Sequence, residues 1–341
     1  MMRLPYFRFH APGSIEEAAR ILAGEGPDAM ILAGGTDLLP NMKRGQQTPK
    51  HLVALRHIQP LREIRNGSGL SIGAGLSLTA LLGNESVQQN YTALWQAAKV
   101  VATPQLRNMA TLGGNICLDT RCNFYNQGED WRKAINYCLK KDGEICWVAT
   151  SSKACLAVSS SDTAPALVAL GAKIRLVSAE GERVVDLKDF YKDDGIDYMS
   201  RRADEILTQI ILKPASGWKS TYWKLRRRGS FDFPILSVAA AVKLSDDGTV
   251  EDARIVLGSV ASKPMVSAEA TEFLIGKKID DEVIEETGRI ATRVARPVDN
   301  TDLAPPWRKK VIPVFLSYAL RELRGDEVTA LRQRVAHQSR N

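Results

Sequence analysis

Four of the five cysteines lie in one stretch, RCNFYNQGEDWRKAINYCLKKDGEICWVATSSKAC, running from Arg121 to Cys155. This stretch constrains the fold because it cannot build a core of its own. Asn123, Asn126, Gln127, Gly128, residues 140–143 and Ser151-Ser152 interrupt every apolar period. A loop of this size needs something to order it, and bound metal is one way to supply that order. The spacing Cys122-x15-Cys138-x7-Cys146-x8-Cys155 contains no CxxC pair, whereas zinc ribbons bring their ligands in closely spaced pairs. Four thiolates are the usual complement of a [4Fe–4S] cluster. Free cysteines are also commonly buried as small hydrophobes. The residues alone leave three readings open: a cluster, buried thiols, or zinc.

The remaining composition narrows the class of protein. A chain of 341 residues has room for two or three domains, and 44% apolar with 25% charged residues is an ordinary globular balance. No apolar run reaches the length of a membrane span. The N-terminus, MMRLPYFRFHAPGS, shows no apolar export segment. The expected location is therefore the cytoplasm, where thiols stay reduced and a disulfide framework is not expected. The net charge of +7 includes the runs Arg226-Arg227-Arg228 and Arg308-Lys309-Lys310, which are short and poor in interleaved aromatics. They suit solvated faces or an acidic partner better than nucleic acid. His10, His51, His57 and His337 form no spaced pair, so no mononuclear metal site or histidine triad is expected.

Along the chain, Ser14 with Glu17 forms a capping box before an amphipathic helix through Ile15, Ala18, Ala19 and Leu22. AMILA (29–33), HLVAL (51–55) and LSIGAG (70–75) are expected strands. Ser77 caps a short helix over 78–82, and TALWQAAKVVA (92–102) is a longer helix stopped by Pro104. DTAPALVALGA (162–172) is expected to be helical, and residues 173–187 a hairpin about Glu180-Gly181. A linker is expected at PASGW (214–218). Beyond it PILSVAAAVKL (234–244) and ARIVLGSV (253–260) are expected strands. They precede one helix through Val283, Thr287, Ile290 and Val294 and another from about Trp307 to Arg324. Strands followed by helices suggest an α+β layer domain, and the polar tail after Arg324 is expected to fray.

Two glycine pairs carry candidate chemistry. LAGGTDLLP (32–40) ends a buried strand at Gly34-Gly35, with Thr36-Asp37 opening a helix; RNMATLGGN (107–115) places Gly113-Gly114 before Asn115. Adjacent glycines let backbone N–H groups approach a phosphate, and they also serve as tight turns. Neither pair matches GxGxxG or GxxxxGK[ST]. Taken alone, Asp162 and Lys224 are expected to be surface charges or helix caps.

In order, LAGGTDLLP, LRNMATLGGN and SDTAPALVAL resemble the FAD-binding medium subunit of the molybdenum hydroxylases, the xanthine and carbon monoxide dehydrogenase family. The resemblance spans nearly the whole chain, including YWKLRRRGSFDFPILSVAAAV (222–242). It implies an α+β fold: a two-part FAD-binding domain of the PCMH or vanillyl-alcohol-oxidase type (1–215), then a smaller C-terminal α+β domain (216–325) with an antiparallel sheet and helices, and a tail (326–341). The cysteine stretch (121–156) is an insertion relative to most members. In this it is similar to the beta subunit of 4-hydroxybenzoyl-CoA reductase, whose loop carries an extra [4Fe–4S] cluster.

By that resemblance Ala33, Gly34, Gly35, Thr36 and Asp37 hold the FAD diphosphate through backbone N–H groups. Thr111, Gly113, Gly114 and Asn115 contact diphosphate and flavin, and Asp162 and Lys224 lie near the ribityl chain and isoalloxazine. Cys122, Cys138, Cys146 and Cys155 are implied cluster ligands, and Cys117 a packed thiol near the flavin. The implied partners are a molybdenum-cofactor large subunit and a [2Fe–2S] small subunit in a heterohexamer, with a ferredoxin as electron donor. No catalytic residue is expected on this chain. Electrons would pass from the donor through [4Fe–4S] and FAD to the partner centres, removing the phenolic hydroxyl of 4-hydroxybenzoyl-CoA to give benzoyl-CoA. The alternatives are a flavin subunit of another molybdenum hydroxylase, acting on an aromatic, purine or aldehyde substrate, and a zinc-binding scaffold.

Overall fold

Three sheets, each backed by its own apolar cluster, organise the chain. The structure, a computed structural model, describes residues 3–336, so His337 lies outside the described residues. The first sheet is parallel, with β1 (Arg8–His10), β2 (Ala29–Leu32) and β3 (His51–Ala54) in the order β1-β3-β2. Ser14 caps the helix Ile15–Glu25 by accepting from the Glu17 N–H, and the Glu17 carboxylate accepts from the Gly13 N–H. The apolar face of that helix, Ala18, Ala19 and Leu22, is buried in one cluster with Val53 and Ile58. Burying Leu22 alone contributes about 1.5–3 kcal/mol.

The second sheet is antiparallel, in the order β4-β5-β8-β6-β7. Its strands are β4 (Ile64–Asn66), β5 (Leu70–Gly73), β6 (Lys173–Ser178), β7 (Gly181–Asp186) and β8 (Ile206–Leu212). The helix Thr163–Ala169 is buried at all seven positions, which explains why TAPALVA has no polar face. The third sheet is also antiparallel, in the order β12-β11-β10-β9, from β9 (Trp218–Leu225), β10 (Leu236–Leu244), β11 (Val250–Gly258) and β12 (Met265–Val266).

Strand β10 shows why its sequence is an unbroken apolar run rather than an alternating one. Successive side chains of a strand point to opposite faces. Val238, Ala240 and Val242 join the C-terminal cluster with the helix Ile312–Arg324, while Ala239 joins the cluster of the second sheet with the helix Thr163–Ala169. Both faces are covered, so the strand is apolar up to Val242 apart from the small, fully buried Ser237. The third sheet thus ties the two domains together through its own core.

Local differences from the expected elements have local causes. Pro104 opens the helix Pro104–Arg107, capped by Thr103, a few residues after Thr92–Lys99 ends. The helix expected from Trp307 to Arg324 is two helices, Pro305–Lys310 and Ile312–Arg324, the second with Pro313 in its first turn. The cysteine stretch contains one short helix, Glu129–Ala134. The expected frayed tail instead forms a helix over Thr329–Ala336. Arg332 anchors it, stacking 4.2 Å from the Trp223 ring centroid and pairing with Glu322, while Val328 is buried beneath. Among the described residues no helix is long and apolar enough to cross a membrane.

Candidate functional site

A cavity of about 700 Å³ opens where the first two sheets meet the third. Both glycine pairs line it, together with Asp162, Arg121 and Phe233. The first pair follows the carboxyl end of parallel strand β2, a usual ligand position for such strands. Gly35 has φ of +72°, in the left-handed region. Gly34 has no room for a side chain, because a Cβ there would lie 2.0 Å from the Met109 carbonyl oxygen. The two loops therefore abut backbone to backbone.

The loops differ in what they offer a ligand. No acceptor among the described residues pairs with the N–H groups of residues 33–38, and all six residues line the cavity. Consecutive free N–H groups form an anion-binding concavity. In the second loop the N–H groups of residues 112–115 are already used. Leu112 donates to Leu76, Gly113 to Ala74, Asn115 to Thr111 O, and Gly114 to Thr111 Oγ1 at 3.0 Å. The N–H groups of Ala33, Gly34, Gly35, Thr36 and Asp37 are thus without protein acceptors among the described residues, whereas those of Leu112, Gly113, Gly114 and Asn115 are used within the protein. Asn115 Oδ1 accepts from the Ser161 and Thr163 hydroxyls at 2.9 and 2.7 Å and from Thr163 N–H, locking the second loop to the buried helix. Its Nδ2 group remains for the cavity.

Asp162 and Lys224 are not surface charges. They form one buried ion pair, Lys224 Nζ donating to Asp162 Oδ2 at 2.9 Å, although they come from different domains. Tyr222 OH donates to the other carboxylate oxygen at 2.6 Å, and Lys224 also donates to Val100 O at 3.0 Å. Burial pushes the Asp162 carboxyl up and the Lys224 amine down, and each charge draws the other part of the way back. Asp162 lines the cavity, and Lys224 is held through it. Cys117 is half-buried on the cavity wall, its thiol pushed up by burial.

Arg121 was not anticipated as a site residue. Its side chain is buried, ion-paired with Asp37, donates to Asn41 Oδ1 at 3.1 Å, and lies 4.9 Å from the Phe233 ring centroid. Its Nε has no hydrogen-bond partner among the described residues. Burial pulls its pKa down to about 10, so it stays charged near neutral pH. A lone arginine before a cysteine carries no sequence signal; only the fold places it in the cavity wall.

From Arg121 the chain enters the cysteine loop. Its neck is closed by reciprocal bonds, Arg121 N–H to Val158 O at 2.8 Å and Val158 N–H to Arg121 O at 2.7 Å. The C-terminal domain clamps this neck. Asn123 N–H donates to Asn300 O, and Asn300 Nδ2 to Leu156 O at 2.6 Å. Inside, Cys122, Cys138, Cys146 and Cys155 are all buried free thiols. Burial pushes Cys122 up to about 11 and Cys155 up to about 12; backbone N–H groups of Phe124, Tyr125 and Ala157 partly offset this. Cys122 is electrostatically coupled to Cys138 and Cys146, and Cys155 to Cys146 and Cys122, so the four sulfurs share one region. Yet no three of them lie within 4.8 Å of one another among the described residues. Tetrahedral zinc, with Zn–S of about 2.3 Å, needs sulfurs roughly 3.8 Å apart. Among the described residues no three of the sulfurs stand at that spacing.

Comparison with known proteins agrees with this geometry. The FAD binding domain in molybdopterin dehydrogenase matches residues 5–215, and the CO dehydrogenase flavoprotein C-terminal domain matches residues 220–323. The chain belongs to this family of flavoprotein subunits. Aldehyde oxidoreductase FAD-binding subunit PaoB of Escherichia coli is 34% identical over 77% of this chain and 83% of its own. The carbon monoxide dehydrogenase medium chain of Afipia carboxidovorans is 29% identical over 92% and 95%. Among solved structures, reconstituted CO dehydrogenase from Oligotropha carboxidovorans superposes with a TM-score of 0.79 at 27% identity, covering 95% of this chain and all of the other. As a family member the chain is an oxidoreductase flavoprotein with FAD as cofactor. The residues fit FAD: a run of free N–H groups suits a diphosphate, and the unpartnered Arg121 Nε is a charged donor in the same wall.

Proposed function

We propose that this chain is the electron-transfer subunit of a molybdenum hydroxylase complex, holding FAD in the cavity and a [4Fe–4S] cluster on Cys122, Cys138, Cys146 and Cys155. The observation that carries the proposal is the four-thiol pocket, buried and free of disulfides, with no three sulfurs at tetrahedral zinc spacing among the described residues. The fit is chemical as well as spatial. Backbone N–H groups aimed at thiolates are a recognised means of tuning such clusters. Bound FAD supplies exchange of one or two electrons. The protein's part is to position that group and hold its charges. The N–H groups of residues 33–38 and Arg121 take the diphosphate, and the Asp162–Lys224 pair stiffens the wall beside it. Arg121 joins the two sites covalently, because its side chain lines the cavity and its backbone leads directly to Cys122.

The partners proposed are a molybdenum-cofactor large subunit and a [2Fe–2S] small subunit, in the cytoplasm. Two substrate classes follow from two different observations. Reductive dehydroxylation of 4-hydroxybenzoyl-CoA, with a ferredoxin as donor, is supported by the cysteine insertion between TLGGN and SDTAPAL. Oxidation of an aldehyde, with electrons leaving through this subunit, is supported by the identity to PaoB.

The test is anaerobic purification with iron, acid-labile sulfide, zinc and FAD measured per protomer. About four irons, four sulfides and one FAD are expected, with iron lost in Cys138→Ser. FAD without iron removes the cluster. In the purified complex, bleaching of the flavin absorbance by an aldehyde selects the oxidative reaction. Benzoyl-CoA formed from reduced ferredoxin and 4-hydroxybenzoyl-CoA selects the reductive one.

A further inference from the structure

We infer that His10, Glu25 and His51 form a site for one divalent cation of the zinc class, on the parallel sheet but outside the lining of the flavin cavity. The three residues are far apart in sequence and come from three elements: the last residue of β1, the last residue of the helix Ile15–Glu25 and the first residue of β3. The strand register creates the site. Arg8 pairs with His51 and His10 with Val53, so His10 and His51 are diagonal neighbours two residues out of step, on one face of the sheet. The imidazoles stack with centroids 5.3 Å apart, and His10 Nε2 lies 3.0 Å from His51 Nδ1. Glu25 Oε2 lies 3.3 Å from His51 Nε2.

One donor atom from each residue falls within 4.8 Å of the others, and no other such group of three metal-ligating side chains exists among the described residues. Zn–N and Zn–O bonds of about 2.0–2.2 Å place tetrahedral donors roughly 3.3–3.6 Å apart; His51 turns Nδ1 to His10 and Nε2 to Glu25, so a rotation of its ring is needed to bring one nitrogen onto an ion shared by all three. The chemistry of the donors also fits. Two imidazoles and a carboxylate are borderline ligands suited to zinc, and a fourth position is left to water. Glu25 has no Lys or Arg partner among the described residues; its ion-pair contact is His51 alone. All three residues are half-buried, which lowers the local dielectric while leaving a path for entry.

The position gives the site a structural role. Arg8 and Ala29, the first residues of β1 and β2, pair with His51, so His51 lies at the start of the sheet while His10 closes the three-residue β1; residues 33–38 follow the other end of β2. A cation there ties helix, β1 and β3 together at the foot of the sheet that carries the first flavin loop. It stabilises that subdomain by an amount that grows with the logarithm of the cation concentration above its dissociation constant.

The test uses the full chain as isolated, with its own cofactors, and Zn2+ as the probe. Crystals soaked in zinc chloride should show an anomalous difference peak among the three side chains. In solution, competition against a chromophoric chelator should show wild type binding one more Zn2+ than His51→Ala, the contribution of the cysteine loop cancelling in the difference. Glu25→Gln should weaken that extra site by about tenfold or more. Circular dichroism of each variant under chelator controls for folding, and His10→Ala replaces His51→Ala if the latter misfolds. Zinc found only in the cysteine loop, a peak that survives both histidine changes, or equal stoichiometry in wild type and variants overturns the site. FAD and iron contents, which test the function proposed above, should be unchanged in these variants.

Discussion

Replacing Lys224 with methionine removes one charge from a pair in which the lysine and aspartate side chains are 2% and 4% exposed. The shape of the side chain is kept and the charge is lost. Asp162 then retains only the Tyr222 hydroxyl as a close donor, and the Val100 carbonyl retains only Arg226 NH1 at 3.3 Å. Breaking a buried pair from one side costs about 3–5 kcal/mol, because the remaining charge is stranded. Burial already pushes the Asp162 carboxyl up, so it takes a proton more readily once Lys224 is gone, which holds the cost toward the lower end of that range. At roughly 2–4 °C per kcal/mol for a unit of this size, the melting temperature should fall by about 6–16 °C. The double change Asp162→Asn with Lys224→Met strands no charge and should recover about 1–3 kcal/mol relative to the sum of the two single changes. Urea denaturation and calorimetry near neutral pH on wild type, both single variants and the double variant complete the cycle. A loss below about 1 kcal/mol in Lys224→Met, or strict additivity, would refute the buried pair as a structural unit.

Gly34→Ala drives a Cβ into the Met109 carbonyl, so the loops must separate; FAD should bind at least about tenfold more weakly, as read by flavin fluorescence. Arg121→Gln removes the charged donor from the cavity wall and should weaken FAD by roughly 10–100-fold, equivalent to about 1.5–3 kcal/mol for a charged hydrogen bond; unchanged affinity would show that Arg121 serves only Asp37. Burial raises the Glu205 carboxyl, but hydrogen bonds from Arg183 and the Arg202 N–H outweigh it and hold the pKa below the ordinary value. Its stabilising contribution is therefore complete above about pH 4.3 and is lost as pH falls through the lower folded-state value. Glu205→Gln should be less stable than wild type near neutral pH, and urea midpoints measured across the acid range should converge once the pH falls below the lowered folded-state value. Arg332→Ala loses both the Trp223 stack and the Glu322 pair; a drop of about 1–2 kcal/mol in the urea unfolding of the C-terminal domain is expected.

Much of the candidate site was legible because its signals are local. A glycine pair after an apolar run marks a strand end that needs open backbone, and the N–H groups of residues 33–38 are free as that pattern suggests. The second pair looks similar in sequence but spends its N–H groups on Leu76, Ala74 and Thr111, because it is stitched to the chain around β5. Composition cannot separate a free donor from a used one. The tail read as polar and frayed, since one arginine among polar residues carries no periodic signal. It folds because Arg332 finds Trp223 and Glu322, more than a hundred residues away for the former and ten for the latter.

The sequence by itself determined the elements whose physics is local: the Ser14 and Ser77 caps, the hairpin at Glu180-Gly181, the apolar runs of the strands and the crowding of four thiols into a segment with no core. Tertiary structure alone decided which residues meet. It paired Asp162 with Lys224 across two domains and carried Arg121 into the cavity wall. It gathered the four thiols of the cysteine stretch into one buried region, and it brought His10, Glu25 and His51, which have no useful spacing along the chain, together on one sheet. The physical reason is common to all four. Charge pairing and metal ligation depend on distances of a few ångströms, and strand register and sheet packing set those distances between residues that no sequence spacing relates.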